Sequence, residues 1–345
     1  MINRVFHPIG QGAFYSENHI GFNIVYDCGS SGKKRIAENV VKQSFLPNAT
    51  IDILFISHFD SDHVNRIPVL TNNFKIKNVI LPLLHPEDKV LLINIYKALG
   101  RTDIATLIET PEDIFGNDTN IIYVDISETD KEINEGSINI ENLTNGQIIR
   151  SLTELLAVDY DWMFVPHNYL HYERNLKLKN LFLQYDLDID RVKTDLGYAL
   201  YHRNDIKNVY KKLNGGINEN SMFVYSGPIG DNHSFYTKHL LDQNGRVGCI
   251  YSGDADFNRV NIRNVFARYW DKVGTIQVPH HGDVKCYNDL FFDGRSYFCP
   301  ISVGENGYGH PSSAVIQSIL SNNSIPILVT EKNSSTFRQY IAKRN

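Results

Sequence analysis

Seven consecutive positions constrain this chain more than any other feature. The apolar run Ile51 to Ile56 reads as a buried strand, and Ser57-His58-Phe59-Asp60-Ser61-Asp62-His63 follows it directly. Four side chains able to ligate a metal, His58, Asp60, Asp62 and His63, fall within six positions. Imidazole and carboxylate groups are the ones that hold Zn²⁺, Mn²⁺ or Fe²⁺. The end of a rigid strand is where such groups are held accurately. The plain alternative is a solvated polar loop, but a random loop seldom sets four ligand-type residues directly after an apolar strand.

The same construction recurs along the chain. Phe22 to Tyr26 ends in Asp27-Cys28-Gly29-Ser30-Ser31-Gly32, a Gly/Ser turn. Arg246 to Ser252 runs into Gly253-Asp254, Thr275 to Val278 into Pro279-His280-His281-Gly282, and Tyr297 to Val303 into a segment ending Gly309-His310-Pro311. Taken singly, Asp27, Asp254 and His310 read as turn or cap residues. Together they repeat one kind of position. Apolar periodicity predicts helices over 33–46, 88–99, 147–157, 174–186, 204–213 and 312–321, with further strands at Asn78 to Leu83, Ser221 to Ser226 and 325–330. Residues 86–217 are richer in polar residues and helical patterns, and read as a largely helical insertion or cap within one domain spanning 1–345.

Composition narrows the class. A net charge of -5 argues against a generally basic nucleic-acid coat, while 42% hydrophobic and 21% charged residues fit an ordinary globular protein with a large core. The four cysteines form no C-x-x-C pair, which excludes a zinc ribbon, and Cys249 and Cys299 sit in apolar runs as core thiols. No run of eighteen apolar residues and no signal-like opening occurs, so a cytoplasmic enzyme with no membrane partner is expected.

The segment from His58 to His63 resembles the H-x-H-x-D-H signature of the metallo-β-lactamase fold, with Asp60 in place of the middle His. That H-x-D-x-D-H variant, taken with Gly10-Gln11-Gly12, Asn218-Glu219-Asn220-Ser221, Ser252-Gly253-Asp254, Val278-Pro279-His280-His281-Gly282 and the Ile301–Pro311 segment, is similar to the hydrolase domain of ComEC-type DNA-uptake proteins and their soluble relatives. The likeness covers roughly residues 1–85 and 218–330. It implies an α/β fold, an αββα sandwich of two mixed sheets with two divalent metal ions, Zn²⁺ or Mn²⁺, at one edge. It implies that His58 and Asp60 bind one ion, Asp62 and His63 the other, and that Asp254 bridges both. One of His280 and His281 completes the second ion's set, and Asp27 orients ligands from beneath. Asn218 and Ser221 lie where other branches of the fold carry a His ligand. Asp62 also holds the attacking water, and His310 faces the substrate.

A hydrolase follows on chemical grounds too, because a divalent ion lowers the pKa of bound water to about 7 and a pair can clamp a phosphoryl centre. Three carboxylates make the set harder than an all-imidazole one, which keeps Mn²⁺ open beside Zn²⁺. The leading expectation is a phosphodiesterase acting on DNA or RNA. The alternatives are a hydrolase of a small molecule (cyclic nucleotide, phosphoester, lactone or thioester) and a non-catalytic binding protein on the same fold. Lys33, Lys34, Arg35, His202, Arg203, Lys211 and Lys212 are candidate phosphate contacts or solvated helix faces. The aromatic stretch 160–173 either stacks bases or packs against the core. His167 and His171, four apart, form a further candidate metal pair, though Pro166 stands just before them.

Overall fold

Long alternating and apolar strands dominate, and they assemble into two sheets. A computed structural model of the chain describes residues 1–127, 136–169, 172–212, 221–230, 233–237, 241–242, 246–304 and 309–343. Among the described residues the first sheet has ten strands, in the order Leu241–Asp242, His233–Thr237, Phe337–Lys343, Ile2–Phe6, Tyr15–Asn18, Asn23–Tyr26, Thr50–Phe55, Lys75–Pro82, Asn120–Val124 and Ile148–Ile149. It is antiparallel through Asn23–Tyr26 and parallel from there on. The second sheet runs Ile325–Val329, Phe298–Ser302, Val273–Ile276, Gly248–Tyr251, Met222–Pro228, Trp162–Tyr169, Glu154–Ala157 and Ser137–Asn139, with Ile126–Ser127 pairing beside Trp162–Tyr169. Its first four strands are mutually parallel.

The sheets face one another across an apolar layer built from Phe6, Phe22, Phe55, Trp162, Phe164 and Tyr251. Helices cover the outer faces. Val41, Leu70, Leu91, Ile95 and Ile108 pack outside the first sheet. Ile262, Phe266, Trp270, Val315 and Ile319 pack outside the second. This helix–sheet–sheet–helix layering is the mixed sandwich expected from the sequence.

The parallel runs matter for function. Asn23–Tyr26 and Thr50–Phe55 in one sheet, and Gly248–Tyr251, Val273–Ile276 and Phe298–Ser302 in the other, are the strands whose following turns carry Asp27, His58, Asp254, His280 and His310. Parallel neighbours bring their C-terminal ends to one edge, and ligands bind outside such ends in open α/β sheets. The recurrence in the sequence is therefore a spatial cluster.

The middle of the chain departs from its sequence reading. Helices form at Pro86–Ala98, Tyr172–Gln184 and Arg203–Lys212, near the expected positions, and also at Thr102–Glu109, Ile189–Thr194 and Leu196–Tyr201. Residues 147–157 are not a helix: Ile148–Ile149 pairs in parallel with Asn120–Val124, and Glu154–Ala157 pairs with Trp162–Tyr169. The described residues of 86–217 thus send strands into both sheets as well as helices over them. Trp162 and Phe164 are buried between the sheets, so they pack the core and present no face to a base. His167 is buried on the same strand, and His171 lies outside the described residues. Cys249 and Cys299 are buried free thiols, as their apolar runs implied.

Candidate metal centre

Three turns interlock to hold the loop from Asp60 to His63. The Ala13 N–H donates to Asp62 O at 3.1 Å, the Cys28 N–H to His63 O at 2.8 Å, and the Gly29 N–H to Ala13 O at 2.9 Å. These backbones touch because Gly12 and Gly29 have no side chains. A Cβ on Gly12, whose φ is +141°, would lie 2.5 Å from Gly29 O, and one on Gly29 would lie 2.5 Å from the Asp62 carbonyl.

Beneath the loop, Asp27 is wholly buried and adopts a positive φ of 55°. Its carboxylate accepts from the Ser57 N–H at 2.7 Å, from Ser57 Oγ at 2.6 Å and from His63 Nδ1 at 2.8 Å. These contacts fix the imidazole tautomers. The Ser57 hydroxyl proton goes to Asp27, so at 2.8 Å from His58 Nδ1 that oxygen can only accept, and Nδ1 carries the proton. His63 Nδ1–H donates to the Asp27 carboxylate, and His281 Nδ1–H donates to the Ser302 carbonyl at 2.9 Å. Three imidazoles are thus tied through Nδ1 and turn an Nε2 lone pair inward, the arrangement that metal-binding histidines take.

The inward atoms converge. His63 Nε2 approaches Asp254 Oδ1 at 3.1 Å, His58 Nε2 lies 3.6 Å from Asp60 Oδ2 and 3.9 Å from Asp254 Oδ2, and His281 Nε2 lies 3.3 Å from Asp62 Oδ2. His280 Nδ1 is 3.4 Å from Asp254 Oδ2. His280 and His281 both hold positive φ, 48° and 55°, so the strand-end turn is strained where it delivers the two rings. Two groups have ligand atoms mutually within 4.8 Å: His58, His63 and Asp254, and Asp62, His63 and His281. Among the described residues, His58 Nε2, His63 Nε2, His280 Nδ1 and Asp254 Oδ1 are buried without an aligned hydrogen-bond partner. Leaving four such atoms buried together is costly unless a cation satisfies them. The donor set therefore fits a divalent cation.

The electrostatics agree. Burial opposes the Asp62 charge, but the His281 hydrogen bond and the nearby His63 outweigh it and bring the carboxyl to about 2. Burial likewise disfavours charge on His63, yet Asp254 and Asp27 hold its pKa above the ordinary histidine value. The site attracts positive charge strongly.

Asp60, Asp62, Asp254, His280, His281 and His310 line one polar pocket of about 530 Å³. A larger cleft of about 820 Å³, beside the helix Lys34–Lys42 and bounded by Val5, Phe45 and Phe337, contains no such cluster. Burial lowers the His310 pKa, with Asp283 at 4.0 Å acting in the opposite sense. The Ser221 hydroxyl donates to Ser252 O at 3.2 Å and accepts from the Asp254 N–H at 3.1 Å, so it braces the Asp254 turn. Asn218 lies outside the described residues. Lys33, Lys34, Arg35, Arg203, Lys211 and Lys212 are exposed on helices or their ends, away from the pocket lining. The cations that do line it, Arg101 and Lys285, and the site neighbours Ser57 and Tyr96 had no distinguishing pattern in the sequence.

Residues 17–138 match the family model of the metallo-beta-lactamase superfamily. The two mixed sheets between layers of helices are consistent with the metallo-β-lactamase fold. Proteins of this superfamily are generally hydrolases that bind divalent metals, often zinc, although some members are non-catalytic. Among solved structures, the metallo-beta-lactamase fold protein YhfI from Bacillus subtilis aligns over 99% of this chain and 100% of its own, at 9% identity and a TM-score of 0.43. No curated protein matches the chain. No helix among the described residues is long and apolar enough to cross a membrane.

Proposed function

We propose that this metallo-β-lactamase-fold chain is a metal-dependent phosphodiesterase acting on nucleic acid, as its likeness to ComEC-type hydrolase domains suggests. The observation that carries the reading is the convergence of Asp60, Asp62, Asp254, His280 and His281 on one polar pocket, with the buried His58 and His63 beside Asp60 and Asp254. His58 and Asp60 would hold one ion, Asp62, His63 and His281 the other, with Asp254 between them. His281 is favoured over His280 for that second set because its outer nitrogen is tethered and its inner one faces Asp62. The carboxylate-rich set suits Mn²⁺ as well as Zn²⁺.

When bound, such ions supply Lewis acidity to water and to a phosphoryl oxygen. The chain's own groups supply the rest. Asp62 orients the attacking water. His310, kept neutral by burial, offers an N–H to a phosphoryl oxygen. Arg101 and Lys285, exposed on the same pocket, attract the phosphodiester anion. One observation favours a second reading, a small phosphoester substrate: about 530 Å³ is the size of a small-molecule site.

The test joins elemental analysis of the purified chain with hydrolysis assays on linear single- and double-stranded DNA and on a cyclic nucleotide, with Mn²⁺ or Zn²⁺ supplied. Metal-dependent DNA cleavage, lowered at least ~10²-fold in Asp62→Ala, is expected. Bound metal with turnover of the cyclic nucleotide alone would replace the nuclease reading with the second one. No metal and no turnover would leave a binding protein on a hydrolase fold.

A further inference from the structure

Asp60 is where this chain departs from the H-x-H-x-D-H order, and a carboxylate at that position inverts the hydrogen bond needed to hold a ligand. An imidazole ligand is fixed through its outer N–H, which needs an acceptor; Ser57 Oγ, Asp27 and the Ser302 carbonyl serve His58, His63 and His281 in that way. A carboxylate has only lone pairs, so its outer oxygen needs a donor. Tyr96 meets that need. Its hydroxyl donates to Asp60 Oδ1 at 3.0 Å, while Asp60 Oδ2 faces His58 Nε2 at 3.6 Å. Tyr96 and Asp60 are both buried, so water offers little competition for that bond.

We infer that Tyr96 is a positioning residue for the metal site, its hydroxyl occupying Asp60 Oδ1 so that Oδ2 is presented beside His58 as the ligand oxygen. This rests on the reading that the cluster holds divalent ions. The helix Pro86–Ala98 that carries Tyr96 is itself fixed. Leu91, Leu92 and Ile95 are buried, and the Asn94 amide donates to Val192 O at 2.8 Å and Lys193 O at 2.9 Å. The turn after the helix returns to the same loop. Arg101 N–H donates to Tyr96 O at 2.8 Å, and Arg101 Nη1 donates to Ser61 Oγ at 2.9 Å. One helix end therefore holds two successive residues of the ligand loop, and the middle of the chain completes the site.

The experiment is Zn²⁺ binding to the full chain, by calorimetry and by elemental analysis after dialysis, with thermal melting to verify folding. Tyr96→Phe removes one oxygen and keeps the ring. Wild type should bind two ions, and Tyr96→Phe should weaken one of them about 10–100-fold and leave the other unchanged. In an Asp60→Ala background the same change should alter affinity by less than about twofold, because the group Tyr96 acts through is gone. Wild-type binding of both ions by Tyr96→Phe would overturn the inference and leave the metal reading standing. So would an equal loss in the Asp60→Ala background, which would mean that Tyr96 acts through packing. Absence of Zn²⁺ from the wild type would overturn both.

Discussion

His58, His63 and His281 each carry their proton on the outer nitrogen because an acceptor waits there, and His167 shows what happens when none does. Both of its ring nitrogens are buried without a hydrogen-bond partner among the described residues. Its neighbours are rings: Tyr169 and Phe223 at 6.1 Å between centroids, and Phe266 at 6.5 Å. An imidazolium has no compensation in such a place, and burial alone brings the His167 pKa down to about 3. Above the unfolded value of about 6.5, the residue is neutral in both states and contributes no pH dependence. As pH falls below that value the unfolded chain takes a proton that the folded chain refuses, so stability declines until the folded pKa is reached. The slope from this one group is about 1.4 kcal/mol per pH unit. His167→Phe, which fits the aromatic surroundings, should remove it. Urea unfolding of both proteins at intervals from pH 7 to pH 4 reads this out: the two stability curves should diverge on acidification, with the variant losing less. Parallel curves would mean that His167 finds a partner or a proton in the folded state.

At the scale of elements, what the sequence disclosed and what it concealed have different physical causes. The strand ends bearing Asp27, His58, Asp254 and His280 were legible because apolar runs and their turns are local features, and parallel pairing then gathers them at one edge. The region 147–157 was not legible. Ile149, Leu152 and Leu155 repeat every three residues, as on a helix, yet the backbone of this segment is engaged by Asn120–Val124 and Trp162–Tyr169, partners that a local window does not contain. Tyr96 and Arg101 were invisible for a similar reason, since only tertiary packing brings them to Asp60 and Ser61. The interlocked turns at Gly12 and Gly29 give the element scale its prediction. Gly29→Ala forces a Cβ into the backbone of Asp62 and His63, where neither atom is the end of a flexible side chain. The expected cost is about 1–3 kcal/mol in unfolding free energy, as for other forced overpacking, with lower metal content in the purified protein. Measured stability and metal content equal to wild type would mean that the loop can move aside.

The whole molecule is joined by a charged pair in the middle of its apolar layer. Arg4 and Glu17 are both buried in the first sheet and meet at 2.7 Å. Arg4 Nη1 crosses to Val247 O, just before the second-sheet strand Gly248–Tyr251, at 2.9 Å, and Glu17 accepts from Ser226 Oγ at 2.8 Å and from Tyr251 at 2.8 Å on that side. Trp162 Nε1 donates to Ser226 Oγ at 2.8 Å, extending the same network. Burial alone would raise the Glu17 pKa, but the Arg4 guanidinium outweighs it and holds the carboxyl below its ordinary range. The pair therefore stays ionised where water does not reach, with nearly every lone pair of Glu17 engaged. Arg4→Met strands that carboxylate and should cost about 3–5 kcal/mol at neutral pH. The stranded Glu17 should then titrate above its unfolded value, so the variant's deficit should shrink as pH is lowered through the interval between the two values. Arg4→Met combined with Glu17→Leu removes the isolated charge and should cost less than the single change, since buried pairs exchanged for apolar groups are often tolerated. Chemical denaturation of the two variants at pH 7 and pH 5 distinguishes the possibilities. If the double variant is the less stable at both pH values, the network holds the two sheets together through its remaining hydrogen bonds rather than through the balance of its charges.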